Sequence, residues 1–218
     1  MNNVMIIAAH PDDEWLGCGG SILKHISEGD KVQAVFISDG FTSRKHNKTE
    51  TRNKNTIKLM HQIGAEKPIF FEFPDNKLDS IPLLDVVQRI EEAKKKFSPN
   101  IVFTHFADDL NIDHRVTCNA VFTAFRPMPN EKLIQLNHFE VPSATDWNPE
   151  KIFRPNYFIN ISKFLENKLD LLSFYEDEMR DFPHTRSYEN VKNLAKSRGS
   201  SIGIEAAEAF FTSRMIKS

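Results

Sequence analysis

The chain has 218 residues, 40% hydrophobic and 11% aromatic with eighteen Phe, enough to bury a full core in one domain spanning residues 1–218. Its 28 Lys and Arg against 30 Asp and Glu leave a net charge of −2, which excludes the basic footprint of a nucleic-acid binder and points to a small or neutral partner. The start lacks the basic region and long apolar run of a signal peptide, and no stretch approaches the ~18 apolar residues of a membrane span, so a soluble, cytoplasmic protein without membrane insertion is expected.

Residues 3–9 form a short apolar run rich in β-branched and aliphatic side chains, the pattern of a central parallel strand, and Pro11 stops it. Residues 14–26 carry a rough helical stripe (Trp15, Leu16, Ile22, Leu23, Ile26) behind three acids. A strand follows over 31–38, ending at Asp39-Gly40, then a helix over 50–63 closed by Gly64, and a third strand over 68–73. An irregular crossing at 78–82 leads to a helix over 83–97 and a short fourth strand at 101–104, and 115–125 reads as helical. Beyond Pro127 the rhythm changes: strands are expected at 133–141 and 157–161 and helices at 163–177 and 187–198, with no element assigned after that. The βαβ alternation predicts an α/β fold: a mostly parallel sheet with helices on both faces. Pro-rich residues 126–129 read as a loop within one domain, Lys94-Lys95-Lys96 as a solvated helix end, and Cys18 and Cys118 as buried small apolar residues.

Strands one and four both end in loops crowded with His and Asp, and a parallel sheet brings its C-terminal strand ends to one edge. One loop reads His10-Pro11-Asp12-Asp13-Glu14; the other runs from His105 through Asp108, Asp109, Asn111 and Asp113 to His114. Together they supply a two-histidine, one-carboxylate site of the kind that suits zinc with an open position for water. A turn can fold His10 and Asp13 onto one ion, while Asp12 points elsewhere and can serve the water.

The Ala9–Glu14 segment resembles the first signature of the PIG-L/LmbE zinc-dependent N-deacetylases. Gly17-Cys18-Gly19-Gly20 resembles that family's glycine-rich helix start, Ser38-Asp39-Gly40 its second strand end, and residues 109–115 its second metal segment. Phe139-Glu140-Val141-Pro142-Ser143, Pro183-His184-Thr185-Arg186-Ser187, Arg198-Gly199 and Ala207-Glu208-Ala209-Phe210 look like the branch acting on amino sugars. The resemblance implies a Rossmann-like fold, His10, Asp13 and His114 as zinc ligands, and Asp12 as general base. Since His and carboxylate ligands suit several metals, iron or another divalent ion is an alternative to zinc.

Amide hydrolysis needs a strengthened nucleophile, stabilisation of the carbonyl oxygen and a proton for the departing amine. Asp113, directly before His114, is expected either to orient a nearby imidazole or to cap the next helix. Family members often carry His three residues before the second ligand His; here that position is Asn111, which donates a hydrogen bond but transfers no proton. Either Asp12 performs both proton steps or another imidazole reaches in, with His184 the first candidate and His138 and His105 next. Arg44, Arg52, Asn111 and Arg186 are the expected substrate contacts, although the usual acidic companion of Arg52 is replaced by Asn55; Trp147 and Phe139 are candidate ring faces. The expected activity is deacetylation of an N-acetylated amino sugar, free or on a nucleotide or other carrier. The alternatives are a thiol-cofactor precursor bearing N-acetylglucosamine as substrate, or a noncatalytic sugar-binding protein on the same fold. A homo-oligomer is compatible with the sequence.

Overall fold

The structure, a computed structural model, describes residues 1–39 and 49–217, with side chains from residue 52 onward in the second stretch. One seven-stranded sheet contains β1 (Asn3–Ala8), β2 (Lys31–Ser38), β3 (Ile69–Phe73), β4 (Ile101–His105), β5 (Gln135–Phe139), β6 (Tyr157–Asn160) and β7 (Ala207–Met215) in the order β3-β2-β1-β4-β5-β7-β6. The first five are parallel, and β7 runs antiparallel between β5 and β6. Chain order reverses between β1 and β4, so the loops leaving these two strands flank the crevice where α/β proteins place ligands.

Both faces are covered, as a parallel sheet requires. Alternation in β1 sends Val4, Ile6 and Ala8 to one face and Met5 and Ile7 to the other. The first face packs against α1 (Asp13–Ser27), α2 (Thr49–Gln62), α5 (Leu165–Leu171) and α6 (Tyr188–Ser200); the second meets α3 (Leu83–Phe97) and α4 (Ile112–Ala124). Among the described residues no helix is long and apolar enough to cross a membrane.

Several details differ from the sequence reading, among them the strand expected over 133–141, which is β5 over Gln135–Phe139. Helix α4 begins at Ile112, not residue 115, because the Asn111 side chain accepts the Asp113 N–H at 2.8 Å and caps it. The helix expected over 163–177 shortens to α5 followed by a 3-10 segment, Leu172–Glu178. Lys94 is not simply solvated: its ammonium donates to Ala124 O at 2.9 Å, pairs with Glu131 and lies over the Phe125 ring. Strand β7, unassigned from sequence, joins β5 to β6.

The glycine run sits inside α1, where the helix kinks at Cys18 (φ −146°). A Cβ on Gly17 would come within 2.4 Å of the Phe139 ring, and one on Gly20 within 2.9 Å of Ile161, so close packing requires glycine at both. The kink is bridged by a buried ion pair. Lys168 donates to Leu16 O at 2.8 Å, closing the first half of the helix, and to Glu208 at 2.6 Å. Glu208 accepts the Gly20 and Ser21 N–H groups at 2.9 and 2.7 Å, opening the second half. The two charges thus satisfy backbone groups that the break would otherwise orphan.

Candidate metal and acid–base centre

The chain leaves β1 into a turn in which Asp12 adopts φ 128°, a region that disfavours side chains and costs roughly 1–3 kcal/mol. That strain places two successive carboxylates in different directions. Asp12 O accepts from Trp15 and Leu16 N–H at 3.0 and 2.9 Å, starting α1, while Asp13 turns inward.

Asp13 Oδ2 lies 3.0 Å from His10 Nδ1, on the same turn, and 3.2 Å from His114 Nε2, in the first turn of α4. The three side chains are buried and can offer ligand atoms within 4.8 Å of one another. The far nitrogen of each imidazole meets another carboxylate: His10 Nε2 faces Asp75 at 3.1 Å and Asp113 at 3.2 Å, and His114 Nδ1 faces Asp109 at 3.2 Å. Asp113 is itself fixed by the Asn76 and Leu78 N–H groups at 2.7 and 3.0 Å. Asp109 accepts the Asn111 N–H at 2.9 Å and the Thr145 hydroxyl at 2.6 Å. Carboxylates behind both imidazoles fix the ring orientation and leave one nitrogen of each directed at the shared centre, as ligating histidines are held.

Electrostatics follow from this crowding. Burial opposes the His114 imidazolium, but Asp13 and Asp109 override it and raise the group to about 9. Burial likewise opposes the Asp13 carboxylate, and His114 and His10 bring it well below the usual range. Glu14 is raised to about 8, mainly by burial; its carboxyl accepts the Tyr175 hydroxyl and the Asp12 N–H in a structural bracket under the turn.

Asp12 has a different environment. Guanidinium groups of Arg52, on α2, and Arg186, in the loop before α6, each lie 2.8 Å from its Oδ2. Arg186 is further tied to Ser143 Oγ at 2.7 Å, and Glu178 stands 3.7 Å from Arg52 and 3.9 Å from Arg186. Burial raises the Asp12 carboxyl although both arginines pull it down. Oδ1 of Asp12, like Oδ1 of Asp13, is buried without a hydrogen-bond partner among the described residues. Such oxygens are costly unless something completes them, and together with the converging imidazoles they fit a cation and a water.

The expected residues thus separate. His10, Asp12, Asp13, Asp113 and His114 come together. Arg52 and Arg186 join them by gripping Asp12, and the acidic companion that Arg52 lacks at Asn55 is supplied by Glu178. The Asn111 oxygen is spent on its helix cap. His184 Nδ1 accepts the Arg186 N–H at 3.0 Å. His105 stacks on His114 at 3.8 Å, but its Nε2 accepts the Ala9 N–H and its pKa is driven well down by burial. His138 is occupied at both nitrogens, by His105 O and Ser213. Phe139 is fully buried core, whereas Trp147 is exposed. Arg44 lies outside the described residues. Sequence reasoning missed Asp75 and left Asp109 without a role; Asp75 follows the C-terminal end of β3, on the sheet edge that already held the other loops.

A doubly wound sheet whose switch point carries a buried His–Asp–His cluster beside a clamped aspartate makes this an α/β protein with a candidate metal and acid–base centre at its ligand crevice. Residues 5–125 match PIG-L, the GlcNAc-PI de-N-acetylase family, and the chain belongs to that family. It is 27% identical over 152 residues to the uncharacterized deacetylase YaiS of Escherichia coli, covering 65% of this chain and 75% of that protein. It is 23% identical over 187 residues to a probable N-acetyl-alpha-D-glucosaminyl L-malate deacetylase 2 of Bacillus cereus, covering 81% and 83%. The solved N,N'-diacetylchitobiose deacetylase of Pyrococcus horikoshii shares the fold, with TM-score 0.78, 21% identity and coverage of 97% of this chain and 83% of that one.

Proposed function

We propose that this protein hydrolyses the N-acetyl group of an N-acetylglucosamine-type amino sugar, free or on a carrier, and that His10, Asp13 and His114 hold zinc or another divalent metal such as iron. The observation that carries this reading is the division of labour on Asp12: two guanidinium groups occupy Oδ2, and Oδ1 is left unpartnered beside the His–Asp–His cluster. A divalent metal held there supplies Lewis acidity toward the amide oxygen and toward water.

Asp12 Oδ1 accepts a proton from the attacking water as the new C–O bond forms, and returns it to nitrogen as the C–N bond breaks, releasing amine and acetate. Arg52 and Arg186 hold the carboxylate in one rotamer for both transfers. Asp113 is a positioning residue acting through His10, as Asp109 acts through His114. His105 and His138 are committed to structural hydrogen bonds, so the alternative to Asp12 for the second transfer is His184, whose Nδ1 accepts the Arg186 N–H and whose Nε2 is then its donor. Asn111 keeps its amide N–H groups for a substrate oxygen. The name of the Bacillus cereus relative makes a carrier-linked glucosaminide a natural member of the substrate panel.

The test follows acetate release from acetylated amino-sugar conjugates, with metal analysis of the purified protein. Asp12→Asn is expected to lose about a hundredfold or more in kcat while retaining bound metal. Equal turnover by wild type and Asp12→Asn, or a protein that retains no divalent metal, overturns the reading. An unchanged rate and pH profile in His184→Ala removes His184 from the mechanism.

A further inference from the structure

Outside the buried cluster the described residues include exposed aromatic side chains that the chemistry above does not use, and Trp147 is the one tied to the cluster through its neighbours. Trp147 is 49% exposed, while the chain's other tryptophan, Trp15, is fully buried. Single exposed apolar side chains are ordinary on a protein surface; the anchoring of this one is not. It sits in a 3-10 turn, Thr145–Trp147, in the loop that leaves β5 at the same sheet edge as the cluster. The Thr145 hydroxyl donates to Asp109 at 2.6 Å and accepts the Val141 N–H at 2.8 Å, and Asn148 donates to Asp108 O at 2.8 Å. The Trp147 ring meets His184 nearly edge to face, with centroids 5.3 Å apart and planes at 71°. His184 is in turn fixed by the Arg186 N–H. The ring pair is therefore bolted on one side to Asp109, which holds His114, and on the other to Arg186, which holds Asp12.

We propose that Trp147, braced by His184, forms an outer subsite that stacks a second, neutral pyranose ring, so that the preferred substrate is an oligosaccharide rather than a lone acetamido sugar. The proposal rests on the deacetylase reading for its inner site. A pyranose presents a face of C–H groups that packs on the electron-rich face of an indole. A platform outside the buried cluster meets the part of the substrate beyond the ring that reacts. Rigid mounting lowers the ordering cost of binding there and transmits the position of the outer ring to the acetamide. Charge selects the kind of ring: Asp146, next to Trp147, and Asp108, in the loop tied to Asn148, are exposed carboxylates that disfavour an anionic carrier.

The experiment compares kcat/KM for N-acetylglucosamine and N,N'-diacetylchitobiose in wild type, Trp147→Ala and Trp147→Phe, all metal-loaded. Wild type favours the disaccharide. In Trp147→Ala the disaccharide-to-monosaccharide ratio falls about five- to tenfold, mainly through KM, and Trp147→Phe restores most of it. With Trp15 buried, N,N'-diacetylchitobiose binding to Asp12→Asn protein changes tryptophan emission, and the change disappears when Trp147→Phe is added. An unchanged ratio, an emission change that survives Trp147→Phe, or a wild-type preference for an anionic conjugate overturns the subsite. Should no sugar release acetate, the deacetylase reading fails, and the emission titration still decides whether Trp147 binds the disaccharide.

Discussion

Two regions of this molecule bury charge, and they do so in opposite ways. Around the kink of α1, Glu208 and Lys168 meet each other and the backbone groups exposed by the break, and the region is closed. At the switch point, five carboxylates and three imidazoles are packed as tightly, yet Oδ1 of Asp12 and of Asp13 are left without partners among the described residues. Buried charge whose partners are all within the fold is structural; buried carboxylate oxygens without partners mark a candidate functional site. The two regions share an element: the kink met by Glu208 and Lys168 lies in the helix whose first residue is Asp13.

The sharpest way to break the comparison is to open the closed region. Glu208→Ala leaves the Lys168 ammonium and two backbone N–H groups buried without their acceptor, and is expected to cost about 3–5 kcal/mol, read from urea denaturation. Pairing Glu208→Leu with Lys168→Met removes the stranded charge but not the stranded N–H groups of Gly20 and Ser21, so recovery should be partial. A loss in Glu208→Ala below about 1 kcal/mol would mean that the pair does not brace the kink.

The converse substitution perturbs the open region. Asp109→Asn keeps the shape of the group behind His114 but removes its charge, and should weaken zinc affinity about 10–100-fold with little change in unfolding free energy. Competition against a chromophoric chelator measures the first and denaturation the second. Glu208→Ala should show the reverse profile. If Asp109→Asn binds zinc as tightly as wild type, the carboxylate does not set the orientation of the His114 ring.

The legibility of the chain divides along similar lines. The parallel half was readable because its signals are local: β2 and α3 fall at the bounds their apolar patterns suggest, and Pro11 and Gly64 punctuate the elements beside them. Residues meeting at one sheet edge were readable because topology collects strand ends. Strand β7 was not, since its strand formers are confined to Phe210-Phe211-Thr212, with Ala207-Glu208-Ala209 before them and Ser213-Arg214 after, and the full strand is imposed by pairing with β5 and β6. Arg52 and Arg186 were singled out in the sequence as substrate contacts, but that both grip Asp12 depends on α2 and the loop before α6 converging, which no spacing encodes. Asp75 and Glu178 lack any motif, and only the fold reveals what they face.

The smallest expected effect separates imidazoles by their partners. His114, flanked by Asp13 and Asp109, is raised to about 9, whereas burial lowers His138 to about 4 because its contacts, His105 O, the Ser213 hydroxyl and the Cys118 thiol, carry no charge. A histidine depressed on folding takes up its proton in the unfolded chain first, near its ordinary value of about 6.5. Its contribution is therefore intact above that pH and is lost as the pH falls toward 4. Between pH 6.5 and 5.5 the loss is about 1 kcal/mol. His138→Asn, whose amide can replace the Nδ1 hydrogen bond to His105 O, should flatten the stability–pH curve by that amount between pH 6.5 and 5.5, leaving the contribution of His105 in place. Parallel curves for the two proteins would show that the His138 ring is protonated as readily in the fold as outside it, and that a neutral environment alone does not close a buried site.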